Sequence, residues 1–541
     1  MEPISLRTPL ALLLISLSAI AAVWWWLATP ITLARAPIDP AAKLLCVSYA
    51  PFRDAQTPLS PTTHVAPEQI AQDLAQLAQV SDCVRTYSIE NGLDQVPALA
   101  AKAGLKVIQG IWLGSNRLKN LAQISTVVGL TKEYPGVITS VVVGNEVLLR
   151  GEMTTADLAG TIRSVKSQVA VPVTYADVWE YWLRNREVYE AVDFVTIHIL
   201  PYWEDFPIRA KYAAAHVDAI RRRMAVAFPG KEILIGESGW PSEGRMREGA
   251  LPSRTNQARV VSEILDLAKR ENFRVNLIEA YDQPWKRQLE GTVGGYWGLF
   301  DSVQRAVKYP PGVAISNYPF WKLQMGCGMA LSLFVFGAAW LTLRRRPWRP
   351  RLASWIAVGT SATTAGILLG VAADKMFYES YGFGGWLGWG ALLAAAIASP
   401  LLCANALMSG RALPTFLELL GPRDARVRSA LTMILGVALL VTTLIGAETA
   451  LGFVFDPRYR DFPFAALTMA VVPLATLMLL NRPQQGVRPI AEAVFAGLLA
   501  GAALYTVFNE GSSNWQSLWT CAVYFLLAVT LWQARAAQIP E

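Results

Sequence analysis

Two glutamates stand where a polypeptide places reactive acids. Glu146 lies in Val143-Gly144-Asn145-Glu146-Val147, and Glu237 in Leu234-Ile235-Gly236-Glu237-Ser238-Gly239-Trp240-Pro241; each follows an apolar, β-branched run and has glycine beside it. A pair of carboxylates is what cleavage of a glycosidic bond requires. One acid, protonated, releases the leaving oxygen, and the other, ionised, attacks C1 or activates water. A third stretch, Glu279-Ala280-Tyr281-Asp282-Gln283-Pro284-Trp285-Lys286, is followed by Gly294-Gly295-Tyr296-Trp297-Gly298. Charged groups suit sugar hydroxyls and aromatic rings suit pyranose faces. The candidate substrate contacts are therefore Tyr49, Arg85, Tyr87, Asn145, Tyr202 (with Trp203), Trp240, Glu279, Asp282, Trp285, Lys286 and Trp297. His198, inside an apolar run, reads as a satisfied structural histidine. No CxxC pair, histidine cluster or Asp-x-Asp motif suggests a metal, and no GxGxxG or GxxxxGK[ST] loop suggests a nucleotide, so no cofactor is expected.

These residues need strands behind them. Apolar runs at Leu44–Ser48, Cys83–Tyr87, Lys106–Gly110, Val137–Val143, Val171–Tyr175, Phe194–Ile199, Glu232–Gly236 and Val275–Glu279 alternate with amphipathic segments. Pro67 opens the first such helix and sets Ile70, Leu74 and Leu77 on one face; Gly104 stops the next; Thr154 and Asp157 have the spacing of a capping box. The alternation predicts an α/β fold, a (β/α)₈ TIM barrel, with a doubly wound open sheet as the alternative. In a barrel, both glutamates lie at C-terminal strand ends, facing one mouth.

The remainder of the 541 residues is far more apolar, raising the hydrophobic content to 53%. Leu10–Ala28, preceded by Arg7, has bilayer-spanning length and reads as a retained anchor, although Ala34-Arg35-Ala36 resembles a signal cleavage site. Seven further spans are expected: Met325–Leu343, Leu352–Ala372, Trp386–Met408, Leu431–Ala450, Phe464–Leu480, Ile490–Phe508 and Trp515–Trp532. The expected organisation is an anchor and linker over 1–40, a barrel over 41–320, and an all-α polytopic domain over 321–541. Net charge is +7. Much of that excess sits in short loops: Arg344 to Arg351, Arg411 to Arg428, Arg482 to Arg488, and Arg535. This is topology charge and not a nucleic-acid surface; Arg458 and Arg460 are the exception, on the opposite side. The positive-inside rule then puts the barrel outside the cytoplasm. Cys46 and Cys83, in consecutive predicted strands, are read as two buried thiols in preference to a disulfide, which an oxidising compartment would permit.

The motifs Gly144-Asn145-Glu146, Gly236-Glu237-Ser238-Gly239-Trp240-Pro241-Ser242, Glu279 through Lys286, and Val84-Arg85-Thr86-Tyr87 resemble family 17 of the glycoside hydrolases, the β-1,3-glucanase and glucanosyltransferase family. The resemblance spans Leu44 to Asp301. It implies a barrel fold, a retaining mechanism, Glu146 as acid/base and Glu237 as nucleophile. Ser238 stands where many plant members have threonine. With its polytopic region, the chain is similar to bacterial membrane-anchored members associated with cyclic β-1,3/β-1,6-glucan synthesis in rhizobia. That similarity implies glucan transfer at the periplasmic side of the inner membrane, with β-glucan, membrane lipid and a glucan synthase as partners. A hydrolytic endo-β-1,3-glucanase and a non-catalytic glucan-binding or transport subunit, the latter using Glu448 and Asp374, remain alternatives.

Overall fold

The computed structural model describes residues 7–33, 35–53, 55–345, 350–421, 429–482 and 486–536. Ala34 of the cleavage-like triplet, Arg346, Arg349 and the loop residues 422–428 and 483–485 lie outside the described residues. Two compact units emerge: residues 30–315, and residues 1–29 together with 316–541.

The first unit is a closed barrel of parallel strands in sequential order, β1 (Cys46–Ser48), β2 (Cys83–Arg85), β3 (Lys106–Ile111), β4 (Ile138–Asn145), β5 (Val173–Val178), β6 (Val195–His198), β7 (Ile233–Ser238) and β8 (Arg274–Leu277), with β8 pairing back onto β1. The open-sheet alternative is thereby excluded. Strand residues alternate between two clusters. Val47, Val84, Val107, Val141, Val173, Val195, Ile235 and Val275 pack with helical residues such as Leu74, Ile162 and Val260. Cys46, Cys83, Ile108, Val142, Ala176, Phe194 and Leu234 form a separate buried layer within the barrel. Cys46 and Cys83 are joined as a disulfide, not left as thiols. The register sets Val47 opposite Val84, and this brings the preceding cysteines to a Cα–Cα distance of 4.3 Å. Two adjacent parallel strands thus supply the proximity that strand prediction alone did not.

Ile31 and Ile315 form an antiparallel bridge through reciprocal backbone hydrogen bonds of 2.8 and 2.9 Å, so the chain enters and leaves this unit side by side.

In the second unit every predicted span is helical. Among the described residues, seven helices are long and apolar enough to cross a membrane: Arg7–Leu27, Trp321–Arg344, Leu352–Glu379, Gly382–Ser409, Ala430–Phe455, Ile490–Glu510 and Trp515–Trp532. Phe464–Leu480 is shorter, at 17 residues, and carries Pro473. Small residues permit close approach of neighbouring helices. A Cβ at Gly328 would lie 1.9 Å from the Gly366 carbonyl oxygen, and one at Gly370 would lie 2.5 Å from the Trp24 ring. The first helix thus contributes Ile20 and Trp24 to the core of this unit.

Candidate active site

Simple alternation would send Glu237 outward, because Leu234 faces the inner layer and Ile235 the helices. A register irregularity between Ile235 and Ser238 changes this. Such irregularities re-aim side chains locally. Gly236 leaves the necessary room: a Cβ there would sit 2.4 Å from Thr196 Cγ2. Its carbonyl meanwhile accepts from Arg85 Nη1 and Asn276 Nδ2, each at 2.7 Å. Glu237, on β7, is thereby buried among donors. Arg85 Nη1 reaches its Oε1 at 3.2 Å and the Tyr87 hydroxyl donates to the same oxygen at 2.8 Å. Both of these donors lie on Oε1.

Glu146 follows β4 with φ +52°, a left-handed conformation that costs energy for any residue with a Cβ. Its N–H donates to Ala176 O at 2.8 Å, and Arg150 donates to the preceding carbonyl, of Asn145. Asn145 accepts a hydrogen bond from Arg85 Nη2 through its side-chain oxygen. One guanidinium therefore touches both the asparagine beside Glu146 and the carboxylate of Glu237.

His198 connects the two acids, which corrects its reading as merely structural. Its Nδ1 lies 2.8 Å from Glu146 Oε1 and its Nε2 3.5 Å from Glu237 Oε1. With a proton on Nδ1, the ring donates to Glu146 and turns its Nε2 lone pair toward Arg85 Nη1, also 3.5 Å away. Ligand-type atoms of Glu146, His198 and Glu237 all fall within 4.8 Å of one another. Two of the carboxylate oxygens thus approach within 4.8 Å, a close approach of the kind double displacement uses, in contrast to the wider gap that inversion leaves for water. The same three atoms could grip a cation, but Arg85 already places a positive donor on Glu237.

Burial pushes the Glu146 carboxyl up, whereas its hydrogen bond to His198 and the charges of Arg150 and Arg85 pull it down. The net position is below the ordinary carboxylate value. Glu279 and Lys286 form a buried ion pair beside the acids, and burial raises Glu279 to about 7 despite the lysine. Asp282, raised by burial to about 6, instead takes Lys308 Nζ at 2.7 Å and Gly298 N at 2.8 Å, so it fastens a loop.

Not every predicted contact reaches the cleft. Tyr49 is buried, with its hydroxyl 3.2 Å from Asp73 of the helix Pro67–Leu77. Tyr202 donates to Arg245 O at 2.9 Å and Trp240 to Leu251 O at 3.0 Å, and both are sealed from solvent. Trp297 is buried edge-on against Tyr202. Their rings fill volume around the site and present no open face to a sugar. Trp285 is half-buried, with its N–H on Gln283. Alongside His198, sequence reasoning passed over Arg150, whose guanidinium lies 4.2 Å from the Trp112 ring centroid. The register that pairs His198 with Glu237 exists only in the folded barrel.

Residues 46–298 match the family model described as the BtgE/BtgC glycoside hydrolase domain. This segment coincides with the barrel and holds both glutamates. Among curated proteins, a probable β-glucosidase btgE of Aspergillus fumigatus is 27% identical over 226 residues, covering 40% of this chain and 39% of that protein. A glucan 1,3-β-glucosidase of Saccharomyces cerevisiae is 27% identical over 256 residues, covering 42% of this chain and 80% of that protein. Among solved structures, a family 17 β-1,3-glucanosyltransferase from Rhizomucor miehei covers 50% of this chain and 96% of its own, at 23% identity and a TM-score of 0.44.

Proposed function

We propose that the chain is a retaining β-1,3-glucan-active transglycosylase, anchored by several spans in the cytoplasmic membrane with its barrel on the periplasmic side. One observation carries the catalytic part: Glu146 and Glu237 approach within 4.8 Å, bridged by His198. Glu237 attacks the anomeric carbon as the C1–O bond breaks, and Glu146 delivers its proton to the departing oxygen. The Glu146 side chain is 24% exposed. An incoming sugar excludes that water, and desolvation favours the protonated acid the step needs. Glu146 then takes a proton from the acceptor, whose oxygen attacks C1 and frees Glu237. Water as acceptor gives hydrolysis; a bound sugar hydroxyl gives transfer, favoured by its high effective concentration.

Transfer is preferred because a multi-span anchor suits remodelling of a nascent chain, including the addition of β-1,6 branches, beside a glucan synthase. The similarity to a curated glucan 1,3-β-glucosidase supports the substrate class. The arginine-rich loops support the orientation. So does the Cys46–Cys83 disulfide, a bond of oxidising compartments. The test is linkage and length analysis of products formed from linear β-1,3-glucan by the purified full-length protein, with Glu237→Gln as control. Products longer than the substrate, absent with Glu237→Gln, are expected. Exclusively shortened chains would overturn transfer, and inverted anomers would overturn retention.

A further inference from the structure

Asp177 is a fully buried carboxylate that the double displacement does not use. It lies on β5 in phase with Tyr175, whose ring packs against Trp182 on the helical side of the sheet, so Asp177 cannot touch a sugar. Among the described residues no lysine or arginine pairs with it. Such an unpaired buried acid costs free energy and requires a reason.

Its partners supply one. The Tyr175 hydroxyl donates to Asp177 Oδ2 and accepts from Leu148 N at 3.0 Å. Leu149 N donates to the same carboxylate at 3.4 Å, and Val178 N donates to its other oxygen at 2.7 Å. Together with Glu146 N on Ala176 O, residues 175–177 grip the whole turn that carries Glu146. A left-handed glutamate persists only where its surroundings over-determine it.

The charge matters as much as the hold. Glu146 faces His198 from β6, Arg85 from β2 and Arg150 from its own turn, all of which favour its ionised form. Glu237 on β7 stands opposite, and Asp177 adds a negative charge from β5. We infer that Asp177, with Tyr175, is a positioning pair that holds Glu146 in its strained turn and opposes the surrounding cations, so that Glu146 keeps a proton to donate. The coupling is mutual: burial first, and the charge of Glu146 in addition, raise Asp177 to about 6. The inference rests on the assignment of Glu146 as acid/base.

The experiment compares kcat/KM, which reports formation of the glycosyl-enzyme, for two substrates: a laminari-oligosaccharide, whose departure needs a proton, and a dinitrophenyl β-glucoside, whose departure does not. Asp177→Asn is expected to lose about 10–100-fold on the oligosaccharide, part of the 10²–10⁴ that general acid catalysis supplies. It should change only a few-fold on the aryl glycoside, and the basic limb of its oligosaccharide pH profile should move to lower pH. Equal losses on both substrates with an unmoved limb would reduce Asp177 to a fold-holding residue and overturn the inference. Should Asp177→Asn not accumulate as folded protein, Tyr175→Phe tests the hold alone through the same split between the two substrates, because it loosens the grip while preserving the carboxylate. Glu146→Gln runs in parallel. If that variant shows no dependence on the leaving group, the acid/base assignment itself fails, a result distinct from failure of Asp177 alone.

Discussion

In the barrel, large apolar side chains left exposed are scattered: Leu118 and Val226 lie on separate helices and Phe206 in the loop after β6. The helical unit instead turns Phe334, Phe383, Val494, Leu504 and Phe508 outward along its helices and keeps glycines such as Gly328 and Gly366 inside. Water drives the first arrangement, since burying apolar area is the main gain on folding. In lipid that gain disappears, and close packing of small residues takes over. Ionisable groups follow the same division. The barrel gathers Arg85, Glu146, His198, Glu237, Glu279 and Lys286 at its mouth, whereas the helical unit keeps pairs such as Lys375–Glu379 and Glu448–Arg460 near its helix ends. With the helical unit set in the proposed membrane, one chain is written for two solvents.

The contrast can be broken in three ways. The largest effect concerns covalent staples. The disulfide spans 37 positions in the barrel, while Cys327, Cys403 and Cys521 are free. Replacing Cys46 and Cys83 together by serine should cost the barrel about 4 kcal/mol, read from denaturant unfolding in detergent. A shift confined to the helical unit's transition would contradict the division.

A charge on an outward face comes next. Leu444, near the middle of the helix Ala430–Phe455, and Leu118, on the helix Arg117–Glu133, are both exposed. With lipid against the first, Leu444→Lys costs about 2.5–3.5 kcal/mol and lowers the yield of membrane-integrated protein. With water against the second, Leu118→Lys stays within about 0.5 kcal/mol. Equal outcomes would show that both faces meet the same medium.

The smallest effect is a slope. Burial raises Glu279 from 4.5 to about 7, so the folded protein binds that proton more tightly than the unfolded chain. Its stabilising contribution is complete below pH 4.5 and is lost as pH rises through 7. Removing it with Glu279→Gln should flatten the barrel's stability profile over that window by on the order of 1 kcal/mol, Lys286 staying charged throughout because, against burial, Glu279 and other acids hold its pKa up. An unchanged slope would mean that Lys286 cancels the burial cost completely.

The barrel was legible because each strand advertises itself as a short β-branched run, and the predicted Lys106–Gly110 and Cys83–Tyr87 overlap the observed strands closely. The two glutamates were legible because glycines flanked them at strand ends. What period-two alternation could not reveal is which face a residue takes beyond a register shift, so the inward turn of Glu237 was invisible in one dimension. His198 was hidden for a related reason: its role depends on what lies beside it on β7. Tyr49, Tyr202, Trp240 and Trp297 misled because a bulky ring at a strand end fills space as readily as it binds a sugar. Cys46 and Cys83 needed the pairing register before their proximity could be read.

The antiparallel contact of Ile31 with Ile315 has a consequence for how the protein can be taken apart. The barrel interrupts the helical sequence between its first and second spans, and both crossings run together. A protease that nicks either one leaves the catalytic module moored by the other. Shedding it as a free fragment takes two separate cuts.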